Sequence, residues 1–199
     1  MKRLITLTVI VVILISQLAW AAQDLLSAKA KKAVLIVASE NFRDEELFET
    51  RDALKGAQVQ TVIASTKTGT VTGMLGGQAQ AEILVSSIVV DDYDAIVFIG
   101  GPGATQYFDD AAALDIARKA ASKSKVLAAI CIAPTTLANA GVLKGVKATC
   151  FSSERHKLEK AGATYTGAPV EKDGLIITAD GPRSAAKFGK TIADALAGK

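Results

Sequence analysis

The sequence predicts an α/β fold, a mostly parallel central sheet with helices on both faces. Three observations carry that prediction. Short apolar runs recur with almost no polar interruption, as in Ala33-Val34-Leu35-Ile36-Val37-Ala38. Runs of this kind suit strands buried on both faces. Between them lie segments with apolar residues at helical spacing. The alternation of the two is what βα units wound into one parallel sheet produce.

In chain order, residues 33–38 are the first strand. Asn41–Gly56 follows as a helix, with Asp44, Glu45 and Glu46 early and Leu47, Phe48 and Leu54 along one side. Acids near a helix start suit its positive end. Gln58–Ser65 is a second strand, and the Gly- and Thr-rich stretch Thr66–Ala81 suggests a small hairpin. Ala95–Ile99 is a third buried strand, stopped by Gly100-Gly101-Pro102-Gly103. Ala111–Ser122 reads as a helix, Val126–Ile130 as a strand, and Ala133–Ala140 as a helix ended by Gly141. Lys147–Phe151 is expected as a strand and Ser153–Ala161 as a helix. The turn Lys172-Asp173-Gly174 leads into the strand Leu175–Thr178, and Ser184–Ala197 is the last helix, with Ser184 as its N-cap.

At 199 residues the chain suits one domain, expected over residues 32–199. Half of it is hydrophobic, with 16 Gly, 4 Pro and 2 Cys. Those values exclude a disordered, collagen-like or disulfide-built chain. Lys2-Arg3, the apolar run Leu4–Ile15 and Ala19-Trp20-Ala21 match a secretory signal peptide over residues 1–21, cleaved near Ala21. The expected location is then periplasmic or secreted, with membrane contact only during export. Residues 22–31 form a short lead-in. The net charge is +3 overall, and +1 without Lys2 and Arg3. Nothing in that balance points to nucleic acid.

Sites in open α/β sheets lie at the carboxyl ends of strands. There, Ala129-Ile130-Cys131-Ile132-Ala133-Pro134 puts a cysteine at a strand-to-helix junction flanked by small residues. That is the logic of a nucleophile elbow, and a helix N-terminus would lower the thiol pKa. The plain alternative is an inert buried cysteine. Gly100-Gly101 after a strand suits backbone N–H donation to an oxyanion, together with the Ile132 N–H; the plain alternative is a turn. Asp44-Glu45-Glu46 taken alone is better read as solvated first-turn acids. His156, the single histidine, sits among Glu154, Arg155 and Lys157, so it is expected to be exposed. One histidine and two cysteines exclude a histidine-rich metal site. In an oxidising compartment Cys131 and Cys150 are candidates for a disulfide.

The series of motifs is similar to the ThiJ/PfpI superfamily and closest to its parkinsonism-associated deglycase branch, with a class I glutamine amidotransferase-like fold. The features that carry the likeness are the acidic helix start with Glu46, the Gly-Gly strand end, the Ala-Ile-Cys elbow, Leu-Ala-Asn-Ala-Gly-Val-Leu-Lys-Gly at 137–145 and the segment Gly174–Ala185. The resemblance covers about residues 32–198. It implies a flavodoxin-like three-layer sandwich, a homodimer, and neither cofactor nor metal. It implies that Cys131 is the nucleophile, that Glu46 is its carboxyl partner, and that Gly101 and Ile132 are the oxyanion donors. Gly100, Pro102, Ala133 and Phe151 are candidate pocket residues.

The activity so implied is a cysteine-dependent hydrolase or a glyoxalase/deglycase acting on a small carbonyl substrate, methylglyoxal or its adducts. The alternative is a redox-sensing or chaperone-like stress protein using oxidation of the same cysteine. Two departures stand out. The protease branch has histidine where this chain has Ile132, and the deglycase branch has a histidine on the strand after the elbow helix, where this chain reads Ala148-Thr149-Cys150-Phe151.

Overall fold

Five parallel strands form the middle of the main sheet. In chain order they are β1 (Lys32–Ile36), β3 (Gln60–Ser65), β7 (Ala95–Phe98), β8 (Val126–Ile130) and β12 (Ile176–Ala179). The structure is a computed structural model that describes residues 30–199. The two outer strands are β6 (Ile83–Leu84) and β11 (Val170–Asp173), giving the order β11-β12-β8-β7-β1-β3-β6. Only β11 runs antiparallel to its neighbour. Taken alone, the five parallel strands lie in the flavodoxin order 2-1-3-4-5. The expected flavodoxin-like sandwich is therefore present. Its switch point lies at β1, between β3 and β7.

Side-chain alternation along the strands builds the three layers. Ala33 and Leu35 of β1, Val97 of β7 and Ala128 of β8 point to one face. There they meet Leu47 and Leu54 of α1 (Asp44–Gly56) and Phe188 and Ile192 of α5 (Ala185–Leu196). Val34, Ile36, Ile96 and Leu127 point to the other face. They meet Ile116 of α2 (Ala111–Ser122), Leu137 of α3 (Pro134–Asn139) and Leu158 of α4 (Arg155–Lys160). Helices α1 and α5 approach closely because Gly189 lacks a side chain. A Cβ there would lie 2.8 Å from Ala53 Cβ and 2.9 Å from the Thr50 backbone.

Several expectations change. The first helix starts at Asp44, not Asn41, because Glu40–Phe42 is a short strand (β2) that pairs with β4 (Gly69–Gly73). The hairpin in 66–81 is present as β4 and β5 (Gln78–Ala81). The strand expected over Lys147–Phe151 is only β9 (Lys147–Ala148), paired with β10 (Thr164–Tyr165). Beyond it the chain leaves the ladder, because the Thr149 N–H goes to the Thr178 hydroxyl and the Phe151 N–H to the Cys131 carbonyl. Ser184 takes the expected N-cap position of α5, but its hydroxyl makes no capping bond and donates to Asp180 at 2.6 Å. Lys31 of the lead-in is already tied to the fold, by its carbonyl to Gln60 and by its amine to Asp94. The signal peptide expected over residues 1–21 lies outside the described residues.

Candidate active site

The chain ends of three neighbouring strands converge here. Helix α1, reached from the end of β1 through the short β2, carries Glu46, Gly100 lies just beyond β7, and Cys131 immediately follows β8. Cys131 has φ +63°, a left-handed conformation that costs a non-glycine residue about 1–3 kcal/mol. Its N–H donates to Ala179 and its carbonyl accepts from Phe151, so the elbow is held from both sides. The small residues around it are explained by the packing. A Cβ on Gly100 would lie 2.6 Å from Cys131 Cβ and 2.7 Å from Glu46 Oε2.

Glu46 is fully buried, and one oxygen, Oε2, accepts the Gly100 N–H at 3.0 Å. The other, Oε1, has no hydrogen-bond partner. The Cys131 thiol lies against this carboxyl in a contact looser than a well-formed hydrogen bond. Glu46 is therefore not solvated, contrary to the reading from residues alone, whereas Glu45 stays partly exposed and pairs with Arg43. Asp44 is also buried, and its two oxygens accept the N–H groups of Leu75 and Gly77 at 2.8 and 2.7 Å. That pair of bonds holds the turn carrying Met74 beside the site.

Burial pushes the Glu46 carboxyl up to about 7, against weaker opposing effects of the thiol, the Gly100 N–H and the Arg43 charge. The Cys131 thiol is also pushed up, first by burial and then by the Glu46 charge. The N–H groups of Gly101 and Ile132 point at the sulfur and pull the other way. The expected net lowering by a helix dipole is thus reversed. The helix behind the elbow has only six residues, while the thiol is 8% exposed. Physically, one proton is shared between the two acids. Once it sits on Glu46, the carboxylate repulsion is gone and the thiolate faces two N–H donors.

Above the thiol is a cavity of about 240 Å³. Cys131, Gly101 and Ile132 form its floor, Pro102, Phe151, Pro182 and Met74 its walls, and Arg43 its rim. Pro102 and Phe151 are where the sequence placed them. Gly100 and Ala133 are buried beneath and do not line the cavity, because their role is to let backbone and thiol approach. Arg43, Met74 and Pro182 were not singled out. They come from three separate loops. His156 is exposed on α4 and is not among the cavity residues. Both cysteines are free thiols, and they pack into the cores on opposite faces of the sheet. Among the described residues no cluster suited to a metal ion occurs.

A profile of the DJ-1/PfpI family matches residues 31–195. An uncharacterized protein of Methanocaldococcus jannaschii is 37% identical over 84% of this chain and 83% of its own length. The deglycase PfpI of Pyrococcus furiosus is 31% identical over 75% of this chain and 90% of its own. Among solved structures, a ThiJ/PfpI domain protein from Brachyspira murdochii superposes with a TM-score of 0.84 at 30% identity, covering 86% of this chain and 99% of that one.

Proposed function

We propose, from the premise that this chain belongs to the DJ-1/PfpI family, that it is a Cys131-dependent hydrolase or glyoxalase/deglycase acting on reactive aldehydes of the methylglyoxal type or their adducts. The deglycase name of the Pyrococcus furiosus relative supports the class of activity. The single observation that carries the mechanism is the strained Cys131, its sulfur set between two N–H donors and a buried carboxyl that titrates near neutrality.

Glu46 takes the thiol proton. The thiolate attacks the aldehyde carbon, forming a C–S bond, and the carbonyl electron pair moves to oxygen. The Gly101 and Ile132 N–H groups stabilise that oxyanion, which Glu46 then protonates. The carboxylate next removes the hydrogen on the same carbon as a proton. Through an enediol, the proton is returned to the neighbouring carbon, leaving a 2-hydroxy thioester. Water cleaves the thioester, releasing a 2-hydroxy acid and the free thiol. The redox change is internal to the substrate, so no external oxidant enters. With Ile132 and Phe151 beside the thiol in place of histidine, Glu46 makes every proton transfer.

The test is methylglyoxal consumption with lactate detection by the chain lacking residues 1–21. Turnover in the wild type, lost in Cys131→Ser, is the expected result. An inert wild type whose Cys131 gains one or two oxygens under mild peroxide would replace this reading with a redox sensor. A sensor would use the same two N–H groups to hold the sulfinate oxygens. Export and a homodimer remain part of the proposal. A mature N-terminus at Ala22 and a two-chain mass by light scattering are the outcomes that support them.

A further inference from the structure

We infer that the carbonyl substrate carries an apolar arm, an aryl or branched alkyl group next to the reacting carbon, and that Phe151 and Met74 select for it. This rests on the reading of Cys131 as the nucleophile and goes further by naming what the site accepts. A three-carbon dicarbonyl has a single methyl group beyond its reacting carbons. The cavity over Cys131 is far larger than that needs. Its volume is about 240 Å³, whereas a buried apolar cavity of roughly 150 Å³ already holds benzene.

Arg43 apart, the side chains lining the cavity are apolar: Met74 on the hairpin turn, Ile132 beside the thiol, Phe151 and the two prolines, Pro102 and Pro182; on the Phe151 and Pro182 side it adjoins a second cavity of about 460 Å³ that reaches Asp180 and Arg183. Met74 is 40% exposed and Phe151 44% exposed. Large apolar side chains left that open at the mouth of a reactive cavity lose water contact when an apolar ligand enters. The one charged group on the rim, Arg43, is already engaged. Its Nε and Nη2 donate to the two Glu45 oxygens at 2.8 and 3.0 Å, and its Nη1 reaches the Met74 sulfur at 3.6 Å. The rim guanidinium thus has its charge paired with Glu45 and three of its five N–H groups engaged, one of them against the Met74 wall.

The experiment compares the alkylation of Cys131 by iodoacetamide and by its N-benzyl derivative. Each rate is divided by that for free glutathione, and the modified residue is read by peptide mass. The N-benzyl reagent is expected to react about tenfold faster after normalisation, a difference of about 1.4 kcal/mol. Phe151→Ala and Met74→Ala should each bring that ratio down several-fold. Val89→Ala, an exposed apolar residue on another part of the surface, should leave it where it was. A ratio near one, or one insensitive to Phe151 and Met74, overturns the inference. Turnover with methylglyoxal and tert-butylglyoxal separates the two claims. An inert enzyme with a high alkylation ratio removes the catalytic reading and keeps the apolar-arm site. An active enzyme with a ratio near one, preferring methylglyoxal, does the reverse.

Discussion

Two buried glutamates, Glu46 at the strand ends and Glu154 at the start of α4, behave in opposite ways. Glu154 accepts hydrogen bonds from the Thr135 and Ser153 hydroxyls, both at 2.9 Å, and from the Lys157 amine at 2.6 Å. Although burial alone would raise it, those partners together hold it below the usual carboxylate range. Glu46 has one backbone N–H and a thiol, and its second oxygen is unpartnered. It ends near 7. Glu46 is the more deeply buried of the two, and it also has fewer donors and no cationic one; depth of burial and the number and charge of the donors together separate the two carboxylates. Satisfying Glu154 fixes its proton count. Leaving Glu46 short of donors keeps its proton exchangeable, at a cost in stability.

The largest expected effect breaks the comparison at the level of activity. Glu46→Gln should lower turnover by about 10²–10⁴-fold, the range for a lost general acid–base group. Glu154→Gln should change it less than about threefold, and equal losses in steady-state assays would sink the distinction. Gly100→Ala should be nearly as damaging to turnover, because its methyl would have to displace both Cys131 and Glu46. Mass-mapped Cys131 alkylation would report the same displacement.

Stability against pH sharpens the contrast. The Glu46 carboxyl is raised in the folded chain, so the fold holds that proton more tightly than the unfolded chain does. Its contribution is fully present below about 4.5 and is lost as pH rises through about 7. The full effect is about 3 kcal/mol. Glu154 is lowered, so its contribution is present above the ordinary carboxylate range and is lost as pH falls below it. Thermal melts of Glu46→Gln should therefore run several degrees above wild type at pH 8 and converge with it below about pH 4.5. Glu154→Gln should melt lower at pH 8, by about 1–3 kcal/mol. Slopes of the same sign for the two variants would remove the argument.

The smallest effect concerns the other thiol. Cys150 is 1% exposed and is pushed up to about 12 by burial and by Glu154 and Glu159, with no N–H donors to oppose them. Cys150→Ala should leave the alkylation rate of Cys131 within about twofold, since a buried thiol without donors stays protonated and inert.

Local pattern alone determined the five parallel strands β1, β3, β7, β8 and β12, the helices α2 and α5, most of α1, and the elbow at Cys131. Each of these is written in contiguous residues, as an apolar run, a helical spacing, or small residues around a cysteine. The role of Glu46 was not legible in that way. Its place in a first helical turn is the same whether it faces water or a thiol, and only the packing of α1 against the ends of β7 and β8 buries it beside Cys131. The end of β9 was misread for a similar reason. Residues 149–151 look like a strand, but the Thr178 hydroxyl and the Cys131 carbonyl capture their N–H groups. The cavity walls Arg43, Met74 and Pro182 arrive from loops far apart in the chain, joined by the Asp44 bonds to Leu75 and Gly77 and the Arg43 bond to Met74. Sequence periodicity reports which face of an element is apolar. Which faces and loop tips then meet, and which acid is left short of donors, is decided by long-range packing, which no local pattern encodes.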